Sequence, residues 1–224
     1  MNYLAIDTST TRASVALTVA DKVYHAEHNV LREHAQSVLP MVEKLLTQAA
    51  ISLSQLDGIL FGRGPGSFTG LRIACSIVKG LAYAHNLPVY PVSSLAAIAE
   101  TMFHSEQKLA PETRVLTMID ARMQEVYWDC FSSNGENTGE QVSSVSSIQV
   151  VGDGPLIIAG VGFEDYVKAL PEKIQRQCLY QKVVFPDALA MIRLVVAGKI
   201  APVSANDALP IYVRNQVVQG GSGG

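Results

Sequence analysis

The chain has 224 residues, 48% of them apolar, and a formal net charge of −3, with an isoelectric point near 5.9. That supplies the core of one large domain or of two with roughly 100 residues each. The acidic balance excludes a strongly basic nucleic-acid platform, leaving room only for a local basic patch, and no apolar run approaches the roughly 20 residues of a bilayer span. The chain opens directly on the strand-like Tyr3–Asp7. With no basic stretch ahead of an apolar one, a cytoplasmic protein without a secretion signal is expected. Cys75, Cys130 and Cys178 are odd in number and far apart, which fits reduced, buried thiols. The Gly/Ser tail 220–224 is read as flexible and set aside.

In chain order, Leu4 and Ile6 lead a first strand into Asp7, and a Ser/Thr cluster makes the turn. Val15, Leu17 and Val19 alternate in a second strand, and a third runs through Val23 and Tyr24. Ala35, Val38, Leu39, Val42, Leu45, Leu46 and Ala49 then follow the helical i, i+3, i+4, i+7 pattern. A strand at about residues 58–62 precedes the glycine-rich "FGRGPGSFTGLR", Phe61 to Arg72. A second helix is expected from about Thr69 to His85, then a short strand in "LPVYPV" and a helix from Ser93-Ser94 through Ala99. After that the chain restarts. "RVLTMIDARMQEVYWDCF" repeats the pattern of an apolar strand, a closing acid (here Asp120), a turn and an alternating strand. Two such units, half a chain length apart, point to a duplicated α/β architecture. The halves are expected at 1–105 and 106–219, with Glu106 to Thr113 as the linker. The stretch 132–147 reads as an exposed connection, "PLIIAGVGFEDYVKAL" as strand, turn and helix, and Leu189 to Val196 as a last apolar helix.

The glycine loop follows a strand and opens a helix, a place where backbone amides favour an anion. Its spacing fits neither a dinucleotide fingerprint nor a P-loop, and Ser67 does not occupy a nucleophile elbow. Two readings stand: a tight turn with Ser67 or Thr69 capping the helix, or a site for a phosphate or a partner's loop. The helix that follows is apolar nearly all round, which calls for burial inside the fold or cover by a partner. His25, His28 and His34 are the one histidine cluster. His25 and His28 fall on opposite faces of a strand, so they are read as solvated side chains and no metal site is expected. Asp7 and Asp120 could face a cleft together, although an acid closing a strand into a Ser/Thr turn is commonly a turn former.

Four blocks, "AIDTST", "GRGPGSFTGLR", "KGLAYAHNLPVYPVSSL" and "IDARMQEVYW", together closely resemble the bacterial TsaB (YeaZ) family. All lie before Phe131, and the chain after Ser132 is less distinctive. The resemblance implies the actin-like ATPase fold (ASKHA, RNase H-like): duplicated α/β halves with mixed sheets flanked by helices. It implies a part in making threonylcarbamoyladenosine at position 37 of tRNAs that read ANN codons, as a subunit that activates TsaD and has no catalytic residue of its own. The histidine–x–x–x–histidine metal motif of TsaD would fall on Ser94 and Ile98, which cannot supply imidazoles. Asp7 is followed by Thr8 and Ser9 where kinases of this fold carry Asp-x-Gly, which removes the close approach of backbone to phosphate.

The same resemblance implies the partners. TsaD, or a second copy of the chain when it is alone, would meet the helices at about Glu33–Ala49 and Thr69–His85. The interface expected is Val38, Val42 and Leu45 with Leu71, Cys75, Val78 and Ala82, edged by Arg72, Lys79 and Tyr83. On that reading Val78→Glu with Cys75→Arg breaks pairing and spares the fold. TsaE would dock on the TsaB–TsaD pair, with tRNA reached through the complex. No intrinsic cofactor is expected, but ATP or ADP at the complex interface could meet Asp7, Gly64, Gly66, Ser67 and Asp120. The alternative is an ATP-binding phosphotransferase of the same fold, using Asp7, Asp120 and the turn Ala159–Tyr166. A metallopeptidase is a third reading, which an absence of bound metal would sink.

Overall fold

The computed structural model describes residues 1–29, 33–106 and 109–214. The Gly/Ser tail and part of the expected linker lie outside them. Strands β1 (Tyr3–Asp7), β2 (Ala13–Val19), β3 (Lys22–His28), β4 (Gly58–Gly64) and β5 (Val89–Ser93) form one sheet in the order β3-β2-β1-β4-β5. Strands β6 (Arg114–Asp120), β7 (Glu125–Ser132), β8 (Gln141–Ser144), β9 (Leu156–Val161) and β10 (Cys178–Val183) form a second, in the order β10-β9-β6-β7-β8. Read from the other edge, the second order is the first one repeated. Both halves run antiparallel through their first three strands and parallel thereafter. Asp7 and Asp120 end equivalent strands, as the duplicated pattern requires.

Alternation in each strand feeds two cores, since successive side chains point to opposite faces. Leu4 and Ile6 of β1 look outward to helices α1 (His34–Ala49) and α2 (Phe68–His85), while Tyr3 and Ala5 look inward. Two further helices are exchanged between the halves. Helix α3 (Ser94–Ser105), which follows the first sheet in the chain, packs Leu95, Ile98, Ala99 and Met102 against Val115, Phe131 and Ile157 of the second. Helix α5 (Ala188–Val196), which follows the second sheet, packs Met191, Ile192 and Val195 against Tyr3, Ala5 and Leu60 of the first. Beyond α5 the chain returns to the first half. Val203 bridges to Val89, Ala208 is fully buried in the outer core, and the amide of Ile211 donates to the carbonyl of Arg63 at 2.8 Å.

The second half is not a full copy. Where the first has α1 and α2, it has short 3-10 helices and the short α4 (Glu172–Gln177). The stretch 132–147, expected as a plain connection, contains β8, and Val145 just after it is buried in the second core. The helix expected after "AGVG" is present as a six-residue 3-10 helix, Glu164–Ala169. Cys75 and Cys130 are buried free thiols as expected, but Cys178 is only half-buried.

The interface expectation needs correction. Val38, Val42, Leu45, Leu71, Cys75, Val78 and Ala82 all belong to the chain's own core, with no more than 6% of any side chain exposed. They form the stripe by which α1 and α2 grip the sheet, so they offer no surface to a partner. Even the outer polar line of α2 is partly covered by the returning C-terminal segment. The Arg72 Nε donates to the Tyr212 hydroxyl at 3.2 Å and the Lys79 Nζ donates to the Asn206 carbonyl at 3.0 Å. The Cys75 thiol donates to the Ala208 carbonyl at 3.4 Å. Of the expected set, only Arg72, Lys79 and Tyr83 reach solvent. Val78→Glu with Cys75→Arg is therefore expected to unfold the isolated chain, costing more than about 4 kcal/mol because two charged side chains, even paired with each other, are too large for an apolar core and lose their hydration there. Urea denaturation followed by circular dichroism measures this, and a variant with wild-type stability would return these residues to the surface.

Candidate functional site

Turns at the strand ends of the two halves line a cleft of about 500 Å³. One wall is the β1–β2 turn (Ser9, Thr10, Thr11) with the start of α2 (Gly66 to Thr69). The other is the end of β6 (Ile119 to Arg122), with Tyr127, Val161 and Gly162. The site is thus built from corresponding turns of both halves, where strands end and helices begin.

The first wall explains the glycine loop. Ser67 caps α2, its Oγ accepting from the Gly70 amide at 3.3 Å, while its own amide donates to the Ser9 carbonyl at 2.7 Å. The Thr8 hydroxyl donates to the Gly70 carbonyl at 2.6 Å. A Cβ on Gly70 would stand 1.8 Å from the Thr8 carbonyl oxygen, and one on Gly66 would stand 2.3 Å from that of Ser9. No side chain fits such backbone-to-backbone contact. The loop is glycine-rich because it lies directly on the Ser/Thr turn, a capping turn fastened to its neighbour.

The expected cleft residues divide. Gly66, Ser67 and Asp120 line the cleft; Asp7 and Gly64 do not. Asp7 is fully buried: its Oδ1 accepts from the Ser9 amide at 2.9 Å and the Ser9 hydroxyl at 2.8 Å. It is the turn former that its Ser/Thr context allows. Its Oδ2 lies against Gly62 and has no hydrogen-bond partner among the described residues. Gly64 is buried beneath Leu71 and the Ile211 carbonyl. Asp120 accepts from the Arg122 amide at 2.9 Å, and its other oxygen lies 3.7 Å from the Arg122 guanidinium.

The turn expected after Asp120 is present, but sequence reasoning missed its backbone conformation. Arg122, Met123 and Gln124 hold φ of 65°, 57° and 62°, three successive left-handed residues without a glycine. Such a run is sterically costly and is fastened from the far end of the chain. Arg214 donates to the Ala121 carbonyl at 3.2 Å and pairs with the Glu125 carboxylate. A second tie between the halves joins Arg63 to Glu140 at 2.8 Å. Neither acid is near its partner in sequence.

Chemically, the cleft offers six hydroxyls (Ser9, Thr10, Thr11, Ser67, Thr69 and Tyr127), one carboxylate and one exposed guanidinium, but no histidine, cysteine or lysine among its described lining residues. It is suited to hydrogen-bonding a polar ligand. Ser94 and Ile98 are both fully buried on α3, Ile98 within the core against the second sheet. The histidines do not converge either. His28 pairs with Glu33 at 3.0 Å, and buried His34 makes a hydrogen bond to the Thr11 carbonyl at 3.3 Å.

The repeated sheet order and the cleft between the halves define a duplicated α/β protein of the actin-like ATPase class. A family model described as "TsaD: tRNA N6-adenosine threonylcarbamoyltransferase" matches residues 22–208. The chain is 36% identical to the tRNA threonylcarbamoyladenosine biosynthesis protein TsaB of Escherichia coli, covering 97% of this chain and 96% of that one. It is 33% identical to the protein of the same name from Haemophilus influenzae, over 97% and 95%. A solved structure, YeaZ from Pseudomonas aeruginosa, superposes with a TM-score of 0.83 at 37% identity, covering 94% of this chain and 99% of that one. The chain belongs to the TsaB family.

One consequence of the buried acid can be measured. Burial pushes the Asp7 carboxyl from 3.8 up to about 7. The folded chain then holds this proton more tightly than the unfolded one. Asp7 therefore contributes stability that is complete below about pH 4 and is lost as pH rises through 7. In Asp7→Asn that component is gone, so the stability of wild type relative to the variant should fall by a few kcal/mol between pH 4 and pH 7.5. Parallel urea midpoints across that range check it; a constant difference would mean an unshifted carboxyl.

Proposed function

We propose that this protein is the non-catalytic activating subunit in the formation of tRNA threonylcarbamoyladenosine. It pairs with TsaD through the outer face of α1 and α2, TsaE docks on that pair, and tRNA is reached through the complex. Relatives named for threonylcarbamoyladenosine biosynthesis supply the pathway. The observation that carries the subunit role is the helix pair itself. The second half builds the same sheet without equivalents of α1 and α2, so sheet formation alone does not require them.

Their outward face is shaped for another helix. Ser76, Gly80 and Ala84 form an exposed row of small residues along α2, and a Cβ on Gly80 would meet nothing within 4 Å. Leu39 and Tyr83 stand exposed nearby, at 48% and 76%. An apolar groove of about 430 Å³ runs between the helices, lined in part by Leu39, Leu46, Ile51, Leu53 and Leu81. Small residues let helix backbones approach, and flanking large ones fill the grooves. When the chain is alone, the same face serves a homodimer. The cleft residues Gly66, Ser67 and Asp120 are then the nucleotide contacts of this chain, meeting ATP or ADP at the complex interface.

Gly80→Arg tests the surface without touching the core. The isolated variant is expected to keep its circular dichroism spectrum, because the added side chain enters open space. It should run as a monomer and fail to co-elute with TsaD on size-exclusion chromatography. Reconstitution with TsaD, TsaE, threonylcarbamoyl-AMP synthase, ATP, threonine, bicarbonate and tRNA should yield threonylcarbamoyladenosine with wild type. The yield should drop at least about 100-fold with Gly80→Arg, the loss expected when a buried interface contact is replaced by a charge. Product formed equally well without this chain would sink the activating role. ATP binding by the isolated chain, removed by Asp120→Ala, would then favour the phosphotransferase.

A further inference from the structure

On the opposite side of the first sheet, away from α1 and α2, three ligating side chains converge that sequence does not connect. His25 and Glu27 are two residues apart on β3 and so share a face of the strand. Asp187, far along the chain, caps the N-terminus of α5, its Oδ1 accepting from the Ala190 amide at 3.0 Å. The His25 Nε2 lies 3.2 Å from the Asp187 Oδ2 and 3.9 Å from the Glu27 Oε1. All three ligand atoms lie within 4.8 Å of one another.

Each acid has one oxygen already held and the other turned to the same point. Glu27 gives Oε2 to the Arg12 guanidinium at 3.2 Å, and Arg12 is itself held over the Phe185 ring. Asp187 gives Oδ1 to its helix. The remaining Oε1 and Oδ2 face the imidazole nitrogen. Ser14, whose Oγ accepts from the Ala188 amide, lies 3.0 Å from the same nitrogen and would give up that contact to a bound ion. The two acids are thus oriented by partners behind them. With Nε2 protonated the ring bridges both acids; a divalent cation would take the place of that proton. Arg12 is the neighbouring positive group but engages only the outer oxygen of Glu27. Arg193 of α5 is turned to Glu100 at 3.5 Å, and Asp7 adds a further buried acid on the same face of the sheet.

We propose that His25, Glu27 and Asp187 bind a divalent metal ion of the zinc class. With bonds of about 2.0–2.1 Å, ligands at the corners of a tetrahedron stand roughly 3.3 Å apart, so side-chain rotation closes the triangle. One imidazole nitrogen with two carboxylate oxygens suits zinc better than magnesium or calcium, which favour all-oxygen shells. The fourth position is left to water. The three side chains are partly open to solvent, at 32%, 32% and 18%, so an ion can enter the folded protein. Bound there, it clamps the edge strand β3 to the helix α5 that arrives from the other half of the chain. The histidines were expected to be solvated; His28 is indeed turned away to Glu33, and His25 finds its co-ligand through the exchange of α5.

The test uses the full chain, stripped with a chelator and titrated with zinc against a chromophoric competitor. One zinc per chain is expected, with a melting temperature raised by roughly 5 °C at about 100-fold excess over Kd. His25→Ala and Asp187→Asn should each weaken binding by at least about tenfold and abolish the thermal shift. Asparagine is as good a helix cap as aspartate, so Asp187→Asn separates lost ligation from lost folding. His28→Ala should bind as wild type does. The proposal is overturned if wild type takes up no stoichiometric zinc, if the two variants bind like wild type, or if magnesium binds as tightly.

Discussion

Everything in this molecule depends on each half lending a helix to the other. A five-stranded sheet has two faces to bury, and neither half keeps enough helix to cover both of its own. Helix α3 covers the inner face of the second sheet and α5 that of the first. The two helices also pack on each other, with Glu100 of α3 joined to Arg193 of α5. Separating the halves would expose Tyr3, Ala5 and Leu60 on one side and Val115, Phe131 and Ile157 on the other. The hydrophobic effect therefore holds the halves together as one body and fixes the cleft between them.

The same economy leaves a division of labour between the faces. The inner turns form the cleft, and there the backbone of the glycine loop is pressed onto the Thr8–Ser9 turn. The outer face carries α1 and α2, whose inward stripes are consumed by the core and whose outward rows remain open. A helix apolar nearly all round is thus both internal and available. Leu71, Cys75, Val78 and Ala82 serve the fold, while Ser76, Gly80 and Tyr83 face away from it. At the other edge of the sheet, α5 carries Asp187 to His25, so the exchange that completes the core also brings the acid and the imidazole together.

The zigzag of β1, β2, β6 and β7, the helical stripes of α1 and α2 and the repeated strand-then-acid pattern were legible because they are local. So were the Ser67 cap and the tight turn, which follow from residue types within a few positions. The errors had a common cause. A stripe such as Val38, Val42 and Leu45 states that a helix has an apolar side, not what that side will meet. Asp7 and Asp120 look equivalent in the chain, yet one is sealed behind Gly62 and the other lines the cleft. The strand β8 went unread because only Val142 marks it as apolar, and its pairing with β7 holds it in place.

The sequence by itself determined the duplicated α/β architecture, the family and the turn chemistry, since periodicity and near-neighbour hydrogen bonding are properties of short stretches. Only the tertiary structure decided which apolar residues became core, which acid faced the cleft, and that Arg214 fastens the left-handed turn beside Asp120. It also joined His25 to Asp187. Those outcomes depend on contacts between residues far apart in the chain, and they follow from how two half-covered sheets bury their faces against one another.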